Sequence, residues 1–78
     1  MKNKIKEIMA KVIKIDASSI TDDVQQKDIE AWDSLAHLNL ILELESEFNV
    51  SFEPEEIGVM TSIRSIEHQI LWHSGDSD

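Results

Sequence analysis

Apolar residues fall at helical spacing in three stretches of the chain. In residues 4–14 they are Ile5, Ile8, Met9, Val12 and Ile13, an i, i+3, i+4, i+7, i+8 stripe with lysines on the opposite side. Asn3 is a suitable N-cap for this helix, and the periodicity fails near Ile15 and Asp16, where the helix should stop. Residues 34–48 carry the second helical pattern. Asp33 or Ser34 can cap its start, and Asn49 suits the left-handed position that ends a helix. Ile63, Ile66 and Ile70 define one face of a last helix, capped by Thr61 or Ser62 and running to about His73. Before it, Pro54 with Glu55 and Glu56 marks the first turn of a short helix. Proline there loses no hydrogen bond, and acids there favour the dipole. Gly58 should end that helix quickly.

Residues 16–33 fit no extended helix. Ser, Thr and Asp dominate the first half of this connection, where Thr21-Asp22-Asp23 can start a short helical turn. Ile20, Val24 and Ile29 are expected to pin it onto the core, as Val50 and Phe52 do for the chain after the second helix. So long a connection in a small domain is commonly functional or packed on itself. The pattern predicts an all-α fold, a small four-helix bundle of three longer helices and one short one, with a long loop between helices 1 and 2. Seventy-eight residues suffice for a single domain over 1–78, with 73–78 as a frayed tail.

The second helix carries more apolar surface than a core requires. On a wheel with Leu35 at zero, Leu40, Leu44, Phe48 and Ile41 span about 140° to 240°, and Leu38 and Leu42 continue the arc back to Leu35. The apolar arc is about 220° wide, against the roughly 100° that seats a surface helix on a core. Two arrangements account for the excess. Either the helix is central and contacts neighbours on both flanks, or Leu35, Leu38 and Leu42 form an exposed ridge for a partner protein, bordered by Glu43 and Glu45. A small apolar strip with an acidic rim suits a transient, electrostatically steered interface.

Charge and composition narrow the function classes. The net charge is −9 and uneven: residues 1–14 hold five Lys against one Glu, and the remainder fifteen acids against Lys27 and Arg64. That field repels nucleic acid and anionic lipid and attracts basic protein surfaces. Cysteine is absent, which excludes disulfides and thiolate metal sites. No apolar run approaches a membrane span. The lysine-interrupted amino-terminus does not read as a signal peptide, so a cytoplasmic protein without membrane insertion is expected. His68 and His73 are five apart and share no helical face, and Asp22-Asp23 lacks the spacing of a calcium loop, so no metal site is expected. Ser, His and carboxylate residues occur at no triad spacing, and no glycine loop cradles phosphate, so no catalytic residue is expected. His37 lies in the core-facing arc, as a hydrogen-bonded histidine or the lining of a cavity. Trp72 is expected to pack against the first helix.

Trp32-Asp33-Ser34-Leu35, within EAWDSLAHLNLILELESEF, resembles the phosphopantetheine attachment motif of acyl and peptidyl carrier proteins. The resemblance extends over nearly the whole chain: first helix, long loop, helix ending in Glu-x-Phe, Pro-Glu-Glu turn and Ile-rich last helix. It implies that the Ser34 hydroxyl receives a 4′-phosphopantetheine arm from coenzyme A, and that activation of the serine belongs to the phosphopantetheinyl transferase. A phosphate at a helix N-terminus lies by free N–H groups and the positive dipole end. Asp33 is placed to assist Mg²⁺ during transfer, since carboxylates and phosphates are hard oxygen ligands. Leu35, Leu38 and Leu42 with Glu43 and Glu47 are the expected recognition residues.

The resemblance is closer to stand-alone carriers of specialised pathways than to fatty acid synthesis carriers. The latter typically have Gly-Ala before the triplet and acids soon after it, where this chain has Ala31-Trp32, Ala36 and Asn39. The expectation is a monomeric, non-enzymatic carrier of acyl, aminoacyl or polyketide groups. Its partners would be the transferase and acyl-loading and acyl-transfer enzymes with basic patches. The alternative is an acidic helical interaction module that is never modified.

Overall fold

The computed structural model describes residues 1–74. Four helices follow in order: α1 (Lys2–Ile13), α2 (Ser34–Phe48), α3 (Pro54–Val59) and α4 (Ile63–Ser74). α1 packs against both α2 and α4. Among the described residues there is no strand, only an isolated antiparallel bridge between Gln25 and Ser62. The all-α bundle of three longer helices and one short one is therefore the fold of this chain.

The stripes read from the sequence meet in one core. Ile5, Ile8, Met9 and Ile13 of α1 face Leu40, Ile41 and Leu44 of α2 and Ile63, Ile66 and Ile70 of α4 in a single buried cluster. Ile20, Val24 and Trp32 from the long connection and Phe52 and Met60 around α3 join it, and Ile29 and Val50 pack against its edge. Burying a side chain of this size removes it from water at a gain of about 1.5–3 kcal/mol, which is why three loop residues suffice to hold the connection down.

Helix ends explain most departures from the sequence pattern. α1 begins at Lys2 rather than after Asn3, its first intrahelical bond running from the Ile5 amide to the Met1 carbonyl at 3.1 Å. It ends at Ile13 because Lys14 turns into the left-handed region (φ 67°, ψ 48°). The amides of Lys14 and Ile15 both return to the Ala10 carbonyl, which brings Ile15 back against the core instead of extending the helix. Asn49 closes α2 in the same conformation, as expected. Ser62, not Thr61, caps α4: its Oγ accepts from the Ser65 amide, and Ser65 Oγ accepts from the Ser62 amide.

Three further expectations are corrected. Thr21-Asp22-Asp23 forms a hydrogen-bonded turn, and the 3₁₀ turns lie on either side of it, at Ala17–Ser19 and Gln26–Asp28. Gly58 does not terminate α3, which continues through it to Val59. Trp72 does not pack on α1; it is 72% exposed. The reason is angular: Ile63, Ile66 and Ile70 take the inward face of α4, and a residue two beyond Ile70 points away from it. His73, placed at the tail boundary, continues α4 and is bonded to Glu56 at 2.8 Å. The rest of the expected tail, 75–78, lies outside the described residues.

Ion pairs tie α1 to everything around it. Lys2 reaches Glu67 of α4, Lys4 and Lys11 reach Glu47 and Glu43 of α2, and Lys6 reaches Asp22 of the connection. Each exposed pair contributes about 0–1 kcal/mol. Their joint effect is to offset the acidic excess where the helices meet. The hydrogen bond from Lys6 holds the Asp22 carboxyl below its ordinary range. Glu56 is likewise below the ordinary glutamate value of 4.5, held there by the Glu53 amide and then by His73.

Two measurements check these points. Lys14→Gly, relieving a left-handed lysine, should raise unfolding free energy by about 0.5–1 kcal/mol in urea titration. For Asp22 and Glu56, stability is present above the unfolded-state carboxyl pKa and is lost as pH falls through the lower folded value. Urea midpoints should therefore be level near neutrality and fall below about pH 4.5, and Glu56→Gln should flatten part of that fall.

Candidate functional site

The site is built where the long connection becomes α2. Asp33 has extended dihedrals (φ −90°, ψ −171°) and caps the helix, its Oδ1 accepting from the Ala36 amide at 2.9 Å. Its carbonyl accepts from the His37 amide at 2.8 Å. Ser34 is the first helical residue and is exposed, and its hydroxyl has no partner among the described residues. The amides of Ser34 and Leu35 likewise find no acceptor there. They are the N–H groups that every helix start leaves over once its cap is satisfied.

This arrangement fits a phosphodiester on Ser34 Oγ. The hydroxyl is outside the core, two N–H groups and the positive end of a 15-residue helix lie at its base, and the other Asp33 oxygen is unengaged among the described residues. An anion at that position gains from the dipole, and the exposed hydroxyl would leave a group bonded to it free to extend from the surface.

The residues just before Ser34 are held firmly. Trp32 is 2% exposed. Its amide donates to the Ile29 carbonyl at 3.0 Å, and its carbonyl accepts from Gln26 Nε2 at 3.1 Å. The indole Nε1–H donates to His37 Nδ1 at 3.0 Å, and His37 Nε2 donates to the Ile57 carbonyl at 2.9 Å. Gln26 is itself stitched to the start of α4, its amide donating to the Thr61 carbonyl at 2.7 Å. The sequence placed His37 on the inward arc, and it is buried there at 8% exposure. Its pairing with Trp32 was not legible, because Trp32 precedes the helix and helical spacing says nothing of it.

α2 resolves the two arrangements left open by its wheel. His37, Leu40, Ile41 and Leu44 are its buried residues and occupy about 100° of the wheel, the width of an ordinary core-facing stripe. Leu35, Leu38 and Leu42 are 68%, 53% and 63% exposed. They share the remaining apolar sector, beginning next to Ser34. Glu43 and Glu47 lie on the side facing α1, each within reach of a lysine (Lys11 at 3.9 Å, Lys4 at 3.0 Å). Glu45 turns to the following loop, its Oε2 accepting from the Phe52 amide at 2.9 Å. The ridge and its acids are thus adjacent but differently engaged.

No group of three or more His, Asp or Glu is placed to hold a metal ion among the described residues. His73 is bonded to Glu56 and lies edge-on to Phe52, and His68 is exposed. No helix among the described residues is long and apolar enough to cross a membrane.

A helical bundle that offers one unbonded serine hydroxyl at a helix start, beside an apolar ridge, has the form of a carrier domain. The family model described as phosphopantetheine attachment site matches residues 3–70. The chain belongs to this family of phosphopantetheine-binding carriers, whose prosthetic group is 4′-phosphopantetheine. Carriers of this kind interact with phosphopantetheinyl transferase and with biosynthetic enzymes.

Asp33→Ala removes the cap and should cost about 1 kcal/mol of stability by chemical denaturation. Leu38→Glu should leave the helical circular dichroism and the unfolding midpoint close to wild type, because the side chain is outside the core. Unfolding of that variant would place Leu38 in the core instead.

Proposed function

We propose that Ser34 is the attachment residue and that the chain is a stand-alone carrier of acyl, aminoacyl or polyketide intermediates in a specialised pathway. The observation that supports this reading is the exposed, unbonded Ser34 hydroxyl held between the bonded residues Trp32, Asp33 and Ala36. In the transfer, Ser34 Oγ forms the new P–O bond and the phosphoanhydride of coenzyme A breaks. Adenosine 3′,5′-bisphosphate leaves, and the hydroxyl proton passes to a base of the transferase. Asp33 keeps one carboxylate oxygen for Mg²⁺ while the other caps the helix. When bound, the arm supplies a terminal thiol that carries acyl groups as thioesters, chemistry that a chain without cysteine cannot supply itself.

Recognition is assigned to Leu35, Leu38 and Leu42, with Glu43 and Glu47 adding to the negative field that draws basic patches on partner enzymes. Both acids are shared with α1 lysines, so their contribution is to encounter rather than to a dry contact. The departures from the fatty acid synthesis pattern, Ala31-Trp32 before the motif and Ala36 and Asn39 after it, support a specialised pathway.

The test is intact mass after incubation with coenzyme A, Mg²⁺ and a broad-specificity phosphopantetheinyl transferase. One adduct on wild type and none on Ser34→Ala is expected. Absence of the adduct on wild type, or its persistence in Ser34→Ala, would favour the unmodified interaction module. Leu38→Glu should slow the same reaction through a raised KM for the carrier.

A further inference from the structure

His37 and Trp32 are buried, yet both use every polar atom they have. An indole N–H can only donate. The 3.0 Å bond from Trp32 therefore makes His37 Nδ1 an acceptor, and the proton sits on Nε2, which faces the Ile57 carbonyl at 2.9 Å. One tautomer satisfies both contacts, and the two rings lie tilted at 40° with centroids 5.9 Å apart. His37 thus joins three parts of the chain: the end of the long connection, the first turn of α2 and the second half of α3.

The consequence for Ser34 follows from its neighbours. Trp32 is fixed through its amide, its carbonyl and its indole. Asp33 is fixed through its carbonyl, to the His37 amide, and its carboxylate, to Ala36. Ser34 is the next residue, with nothing holding its own hydroxyl. The placement of its backbone and Cα–Cβ bond is set by this frame, and the indole is the part of the frame reached from α2 by a side chain.

We propose that His37 is a positioning residue for the modification of Ser34: its imidazole locks Trp32 and α3 to the start of α2, and so aims the Ser34 hydroxyl for the transferase. This rests on the reading of Ser34 as the attachment residue. A nucleophile displaced by about an ångström loses up to a hundredfold in rate, while the ridge that contacts the enzyme is untouched. The loss therefore falls on kcat and leaves KM for the carrier near wild type.

The experiment pairs transferase kinetics on the full chain with ¹H–¹⁵N spectra of its two tryptophan indoles, buried Trp32 and exposed Trp72. In wild type the Trp32 indole N–H should be protected from solvent exchange. His37→Leu should abolish that protection and lower kcat about tenfold. His37→Gln offers an amide acceptor and donor in place of the ring nitrogens and should restore most of both. A folded His37→Leu with wild-type kcat overturns the proposal, as does a His37→Gln no better than His37→Leu, which would assign the effect to ring packing. If His37→Leu does not fold, Trp32→Phe removes the indole donor together with part of its buried ring: reduced kcat at unchanged KM supports the lock, wild-type kcat overturns it. Failure of wild type to accept the arm overturns the attachment reading instead, and the protected Trp32 indole is then observed without it.

Discussion

The inward sector of α2 is the constraint from which the rest of the molecule follows. Leu40, Ile41 and Leu44 join one core with the stripes of α1 and α4, α2 lying against α1, and with His37 they fill about 100° of the helix, the width of an ordinary core-facing stripe. With those residues committed, the orientation of α2 about its axis is settled, and Leu35, Leu38 and Leu42 are left outside. Apolar surface that the core cannot take is what gives a small domain a place for other proteins to touch. The same rotation puts Ser34 at the open end of the ridge, so the proposed attachment residue and the exposed leucines share one rigid element.

α3 is held in a different way. It has six residues and none of them is buried. Its neighbours Phe52 and Met60 anchor the chain on either side, while the helix itself contributes only the partly buried Ile57 to the core and is otherwise held by polar contacts. His37 of α2 reaches the Ile57 carbonyl, and His73 of α4 reaches Glu56. Elements with little buried apolar surface open at lower free energy than the core. The segment facing the start of α2 is therefore the one whose position depends most on a few directional bonds, and two histidines, from α2 and α4, supply two of them at its middle.

Charge has two separate jobs in this fold. The α1 lysines stand against acids on α2, α4 and the connection, reducing repulsion where the helices meet. The acidic excess elsewhere is left to the solvent. Glu43 and Glu47 stand at the boundary: each is near a lysine, yet each remains partly open to water.

Helical spacing and end-capping chemistry were enough to define the bundle, the core stripes of α1 and α4, a cap for α2 at Asp33 or Ser34, the left-handed Asn49 and the excess apolar arc of α2, and the structure chose Asp33 as the cap. Those features are local, set by periodicity and by the chemistry of single residues at helix ends. Whether the excess arc was interior or exposed was not a local matter, because it depends on how many helices surround α2. The same holds for Trp72, whose large apolar ring suggested burial until the isoleucines of α4 took the inward face. Lys14 ending α1 was hidden because lysine has no preference for that conformation, and only the return of Ile15 to the core selects it. Ser34 was singled out by the residues beside it, and the structure shows it exposed as the first residue of α2. The bonds from Trp32 through His37 to Ile57 link positions up to 25 apart, and only the packed structure brings them into contact.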